Sequence, residues 1–153
     1  MTVDRLSTTV RSARPGDAEF IADLIGGMGY DVRTDDVRLR LRDLPEHHAV
    51  FVAETRDRVV GWVHVVASHS LIVAQHAEIA GLAVAADIRG TGVGTTLMRT
   101  AERWARERGL GGVRLRSRDD RAPAHHFYRS LGYAEVKKQV AFAKQLAAPP
   151  VTW

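Results

Sequence analysis

Three patterns in the sequence could do chemistry. The first is RGTGVG, Arg89-Gly90-Thr91-Gly92-Val93-Gly94, followed by Thr95. Alternating glycines let successive backbone N–H groups turn toward one point, and a helix starting there adds the unpaired N–H groups and partial positive charge of its first turn. That combination suits a pyrophosphate. The second is AHHFYRSLGY, which brings the phenol of Tyr128 and the neighbouring imidazoles of His125 and His126. The third is the carboxylate of Glu78, with His64, His69 and His76 nearby in sequence. An imidazole titrates near neutrality, so these groups are candidates for proton transfer.

Spacing tests the competing phosphate motifs. A P-loop needs Lys followed by Ser or Thr after its last glycine, but Gly94 is followed by Thr95 and Thr96. A dinucleotide fingerprint starting at Gly90 and Gly92 needs glycine at the place of Thr95, and it usually follows the first strand of a unit rather than lying past mid-chain. Adjacent side chains such as His125 and His126 point in different directions on a helix, and no carboxylate or cysteine set accompanies them, so no metal is expected. The chain has no cysteine, which removes disulfides, thiolate metal sites and a cysteine nucleophile.

The elements that must position these groups follow from periodicity. Residues 8–13 read as a strand, RPGD as a turn, and residues 18–28 as a helix with Phe20, Ile21, Leu24 and Ile25 at helical spacing. A second helix, capped by Thr34 or Asp35 and closed by Pro45, carries Val37, Leu39, Leu41 and Leu44. Residues 49–54 and 59–66 form a hairpin across TRDR, and a strand over 77–84 enters the glycine loop. Residues 95–108 make an amphipathic helix with Leu97, Met98, Ala101, Trp104 and Ala105 on one face, Glu102 on the polar face, and Gly109 as its stop. The strand over 113–117 completes a crossover unit and runs parallel to 77–84. A short helix with Pro123 in its first turn and Gly132 past its end follows, then strands over 134–138 and 140–144.

The bulk properties narrow the class. A length of 153 residues with 45% apolar content predicts one domain over residues 1–146, with 147–153 as a tail. The net charge of +4, from 22 basic and 18 acidic residues, is mild and scattered, without the aromatic-interleaved cluster that a nucleic-acid footprint requires. No apolar run approaches the roughly 20 residues of a membrane span, and residues 1–9 contain no apolar signal core. A cytoplasmic protein that binds neither membrane nor nucleic acid is expected.

The R-x-x-G-x-G spacing after a strand ending GLAV resembles the signature loop of the GCN5-related N-acetyltransferase superfamily, Q/R-x-x-G-x-G/A, which holds the pyrophosphate of acetyl-CoA. AHHFYRSLGY is similar to that superfamily's A-x-x-F-Y-x-x-x-G-F/Y block. The likeness is specific over residues 77–133 and extends to the whole chain through element order. It implies an α/β (α+β) fold: a mixed, mostly antiparallel sheet with a central parallel strand pair splayed around the cofactor, flanked by about four helices.

The resemblance also assigns roles. Backbone groups of Leu82, Ala83 and Val84 should pair with the pantetheine arm, while amides of Arg89, Gly90, Thr91, Gly92, Val93, Gly94 and Thr95 hold the pyrophosphate, with Arg89 adding charge. Tyr128 occupies the general-acid position, and Glu78 lies where related histone acetyltransferases carry a catalytic glutamate. Arg121 stands where many members have a cofactor-contacting Asn. The implied reaction is acetyl transfer from acetyl-CoA to a primary amine of a small molecule, protein or peptide, by direct attack in a ternary complex that releases CoA. The alternatives are a silent acyl-CoA-binding sensor and, from charge alone, a nucleic-acid binder. The acceptor pocket is expected from the first two helices with Tyr30 and Asp31, residues 68–76 and the C-terminal hairpin. A homodimer through the C-terminal strands or tail is a family-level expectation.

Overall fold

The β-branched residues of the predicted hairpin sit at the centre of a five-stranded sheet. A computed structural model describes residues 7–153, and the reading of residues 1–6 lies outside them. The strands are β1 (Thr8–Ser12), β2 (His48–Thr55), β3 (Arg58–Ser68), β4 (His76–Val84) and β5 (Val113–Leu115), in spatial order β1-β2-β3-β4-β5. All neighbours are antiparallel except β4 and β5, which are parallel. The parallel pair therefore stands at one edge of this sheet. The described chain divides into two compact units, one ending at Arg116 and the other Ser117–Trp153.

In the first unit, strand alternation sends one set of side chains to each face of the sheet. Helices α1 (Ala18–Gly27) and α2 (Thr34–Arg42) cover one face, where Ala18, Ile21, Ala22 and Val37 pack with Val52, Val59, Trp62 and Ala83. Helix α3 (Val93–Glu107) covers the other, burying Leu97, Met98 and Ala101 completely. Each such Leu, Met or Val contributes roughly 1.5–3 kcal/mol on leaving water. Ahead of α1, Arg11 holds Asp17 at 2.8 Å and Glu54 at 2.6 Å, tying the turn that starts the helix to β1 and β2. Hydrogen bonding from Arg11 outweighs burial and keeps the Asp17 carboxyl below its ordinary value.

Several boundaries differ from the sequence reading for identifiable reasons. Arg33, with no side-chain cap, precedes α2, so neither Thr34 nor Asp35 caps it. Helix α3 begins at Val93 because Gly92, in the left-handed conformation, ends the loop, so Gly94 and Thr95 belong to the first helical turn. Glu102 is buried rather than on a solvated face, and it accepts a 2.8 Å hydrogen bond from Arg99 one turn earlier. Leu39 is exposed, whereas Val37 supplies the buried contact of α2.

Close approach makes one glycine of β4 testable. A Cβ on Gly81 would lie 2.4 Å from Cη2 of Trp62, so the indole must move. Trp62 Nε1 is buried with no hydrogen-bond partner among the described residues, so no polar contact pins the ring. Gly81→Ala is therefore expected to destabilise by about 1–2 kcal/mol, the lower part of the overpacking range. Urea unfolding with both proteins at one pH measures it, and a stability equal to wild type would show that the ring is already free to slide.

In the second unit, α4 (Ala122–Ser130) has proline in its first turn and ends where Gly132 adopts φ +95°. The predicted strands over 134–138 and 140–144 do not form, since residues 133–146 are neither helix nor strand. Strand formation needs a partner edge, and among the described residues none pairs with this segment. Val136, Val140 and Phe142 are correspondingly exposed. None of the described helices is long and apolar enough to cross a membrane.

Candidate active site

The strand edge at β4 is open where chemistry was predicted. Its pairing with β5 spans only Ala77, Ile79 and Glu78 between them, opposite Val113, Leu115 and Arg114. On the other side β3 stays paired with β4 as far as Val84. Leu82, Ala83 and Val84 consequently keep one ladder edge, facing away from β3, without a strand among the described residues. Such an edge presents N–H and C=O groups that an extended, amide-containing chain can join. The register also shifts here: His64 faces Gly81 while Val65 faces Ile79, leaving Ala80 as the extra, unpaired residue of a bulge. Bulges re-aim the backbone beside functional sites.

The chain then turns through a 3-10 segment, Ala86–Ile88, anchored by Asp87 to Arg58 at 2.7 Å. Arg89, Gly90, Thr91 and Gly92 are exposed, and a Cβ on Gly90 or Gly92 would meet nothing within 4 Å. Thr91 bonds back to the Ile88 carbonyl through its N–H and its hydroxyl, fixing the turn. The first helical bond runs from Thr96 N–H to Gly92 O at 3.0 Å, so the amides of Val93, Gly94 and Thr95 precede the intrahelical ladder. Open space, exposed amides and the positive end of α3 fit a pyrophosphate. Val93 itself turns its side chain inward and is buried.

Glu78 lies on β4 directly across from Arg114. Its Oε1 is 2.5 Å from Arg114 Nη2, 2.6 Å from Arg114 Nε and 3.0 Å from His76 Nε2. Burial alone would raise the carboxyl, but hydrogen bonds from His76 and Arg114, with the charges of Arg114 and Arg116, bring it below its ordinary value. The other ring nitrogen of His76 lies 2.9 Å from the Ala74 carbonyl. Glu78 is thus bound through Oε1 into the short β4 and β5 pairing, one residue before its last pair, Ile79 with Leu115.

In the second unit, the ring of Tyr128 stands 5.3 Å from that of Phe127 and 6.2 Å from that of Tyr133. Burial pushes its phenol above the ordinary value, with the charge of Arg121 partly opposing. A group held in that direction stays protonated and can donate. His125 is engaged with the Arg118 carbonyl at 2.7 Å. Among the described residues, no group of three or more His, Asp or Glu is placed to hold a metal ion.

Sequence reasoning missed His48. Its Nδ1 is 2.8 Å from Nε2 of His64, and both rings line a cleft of about 400 Å³ at the end of α2. The signal was present, since His48 pairs with Val66 and Val50 with His64, which makes the two histidines diagonal neighbours on one face. Burial, with the neighbouring His48, pushes the His64 imidazole down to about 4, whereas an unperturbed one titrates near 6.5. The unfolded chain therefore takes up this proton first as the pH falls. Stability from neutral His64 is complete above pH 6.5 and is lost as the pH drops through the folded value of about 4. After allowance for solvent screening, wild type should lose roughly 1–2 kcal/mol more than His64→Gln between pH 7 and about 4.5. Urea unfolding at the two pH values checks this.

A strand edge left open beside an amide-lined helix start suits a ligand with an extended amide arm and a pyrophosphate, which is the make-up of CoA. The family model described as the acetyltransferase (GNAT) family matches residues 18–133. The chain belongs to that family and is an N-acetyltransferase. It is 31% identical to streptothricin acetyltransferase of Streptomyces lavendulae, over 81% of this chain and 80% of that protein. It is 28% identical to aminoglycoside N(6')-acetyltransferase type 1 of Stenotrophomonas maltophilia, over 90% of this chain and 94% of that protein. Among solved structures, AAC(6')-Iy in complex with the bisubstrate analog CoA-S-monomethyl-acetylneamine superposes with a TM-score of 0.81 at 16% identity, covering 91% of this chain and 99% of that one. That likeness bears on the fold, which is the mixed, mostly antiparallel α/β arrangement expected.

Proposed function

We propose that the protein transfers the acetyl group of acetyl-CoA to a primary amine of a small molecule, by direct attack in a ternary complex and without a covalent enzyme intermediate. The observation that carries the reading is the run of β4 past Ile79, with its edge open, into Gly92 and the start of α3. Leu82, Ala83 and Val84 would pair with the pantetheine arm, and within the run from Arg89 to Thr95 the amides other than that of Thr91, which bonds to the Ile88 carbonyl, would hold the pyrophosphate, with Arg89 adding charge. Arg121 is assigned to cofactor binding by the family resemblance alone. The thioester is the chemistry that the bound cofactor supplies. Tyr128 serves as the acid that protonates the departing sulfur. For Glu78, whose Oε1 is bonded to Arg114 and His76 and whose carboxyl is held below its ordinary value, the geometry favours positioning β4 against β5 over proton abstraction.

The curated relatives support a small-molecule acceptor, since one is named for streptothricin and another for aminoglycosides. We place this chemistry in the cytoplasm and assign it to residues 1–146 as one functional domain, with 147–153 as a tail. Thiol release that depends on both acetyl-CoA and an amine, with the product mass raised by one acetyl group, tests the proposal. Binding of acetyl-CoA without turnover of any amine in a broad panel would make the protein a sensor instead.

The segment over 134–146 supports a homodimer as the working assembly. Among the described residues it makes no backbone hydrogen bond and exposes Val136, Val140 and Phe142, features of a strand that lacks its partner. Sedimentation should give a dimer that Phe142→Asp shifts to monomer, with an unchanged melting temperature for the monomeric chain. A wild-type monomer at all concentrations overturns the assignment.

A further inference from the structure

Resting on the acetyl-transfer reading, we propose that His64 and His48 form a two-ring proton relay, which takes the ammonium proton of the acceptor from the cleft beside α2 and delivers it to water. His64 Nε2 and His48 Nδ1 stand 2.8 Å apart, so the two rings share one bridging proton. His64 faces Gly81 across the β3 and β4 ladder, at the bulge that leaves Ala80 unpaired and next to Leu82 where the open edge begins. The cleft of about 400 Å³ has Leu39, Leu44 and Pro45 as apolar wall, with Arg40 of α2 and Asp43 just past its end as its other charged groups. Asp43 is bonded to Arg42 at 3.0 Å. His48 begins β2 beside exposed His47, giving the relay an outlet to solvent.

The chemistry follows from the bridge. Two neutral rings hold two protons, one of them in the bridge, so the outer nitrogens, His64 Nδ1 and His48 Nε2, carry one proton between them. One end is always an acceptor while the other is a donor. Burial lowers the affinity of both imidazoles for a second proton, most strongly at His64, which keeps each ring neutral at physiological pH. In the competent tautomer the acceptor's N–H breaks as His64 Nδ1–H forms, and the amine keeps the electron pair with which it attacks the acetyl carbonyl. The bridging proton moves from His64 Nε2 to His48 Nδ1, and the proton on His48 Nε2 leaves to water. Charge and protons balance, and after product leaves, exchange with water at both ends restores the first tautomer. Glu78 is a weaker base for this part, because its contacts to Arg114 and His76 hold its carboxyl below the ordinary value.

The test uses the full-length chain with acetyl-CoA and two acceptor probes, streptothricin and neamine, followed by thiol release. His64→Ala should lower kcat by about 100-fold, within the range for loss of a positioned base, while the acetyl-CoA affinity and melting temperature hold. Free imidazole should restore turnover at least about 10-fold and saturably, a response that a purely structural role does not give. His48→Gln should lower kcat by about 3- to 10-fold with KM unchanged. If His64→Ala does not fold, His48→Ala with imidazole rescue carries the test, because that ring lies nearer the surface. Wild-type kcat in His64→Ala, or a loss that imidazole leaves untouched, overturns the relay and spares the acetyl-transfer reading. A wild-type chain that releases no thiol with either probe overturns that reading for these acceptors, and the relay with it.

Discussion

Gly92→Glu is expected to abolish measurable acetyl-CoA binding, raising Kd by on the order of 1,000-fold or more. Two effects combine at this position. Gly92 sits at φ +94° immediately before α3, a conformation that costs an L-residue about 1–2 kcal/mol. A carboxylate about 4 Å from a phosphate, at an effective dielectric near 20, adds roughly 4 kcal/mol of repulsion. An acidic group at a helix start gains only about 0.3–1 kcal/mol from the macrodipole, so it cannot reverse either term. Gly92→Ala separates them: it should lower the melting temperature by several degrees yet keep affinity within about 10-fold, because only the backbone strain remains. Calorimetric titration with acetyl-CoA, alongside thermal unfolding, reads both quantities. Normal affinity in Gly92→Glu would remove the pyrophosphate from this loop.

Tyr128→Phe is expected to lower kcat by about 10- to 100-fold while the acetyl-CoA affinity stays within about 3-fold. Positioned acids commonly contribute about 100- to 10,000-fold. A thiolate leaves readily, its conjugate acid having a pKa near 8.5, which places the expected loss at the lower end. Burial holds the phenol above its ordinary value, so Tyr128 keeps the proton it must donate throughout the working pH range. Removing only the hydroxyl leaves the ring against Phe127 and Tyr133, which separates chemistry from packing. Rapid-quench measurement of the first turnover checks it. An unchanged kcat would take Tyr128 out of the reaction.

The parts of the site legible in the sequence are those whose chemistry is local. The glycine spacing of residues 90–94 and the apolar run into α3 lie within one turn and one helix, so periodicity and φ preference suffice to find them. Even there, the start of α3 moved two residues earlier, because a left-handed glycine rather than a threonine ends the loop. Glu102 was misplaced for a different reason: packing of α3 on the sheet buries that position, and the carboxylate is paired there with Arg99. The predicted strands over 134–138 and 140–144 had the right composition, but a strand exists only with a partner edge, which no local pattern supplies.

The candidate base depended on contacts distant in sequence. Glu78 reads as a free carboxylate until the parallel register sets Arg114 opposite it, 36 residues away. The partnership of His48 with His64 requires the hairpin's register, including its bulge between Ala53 and Glu54. By itself, then, the sequence determined the family, the element order and the phosphate-type loop, because glycine conformation and hydrophobic period are properties of neighbouring residues. Only the tertiary structure decided which carboxylate is tied down, which imidazoles meet and where β4 lies open, because strand register is fixed by packing across the whole sheet.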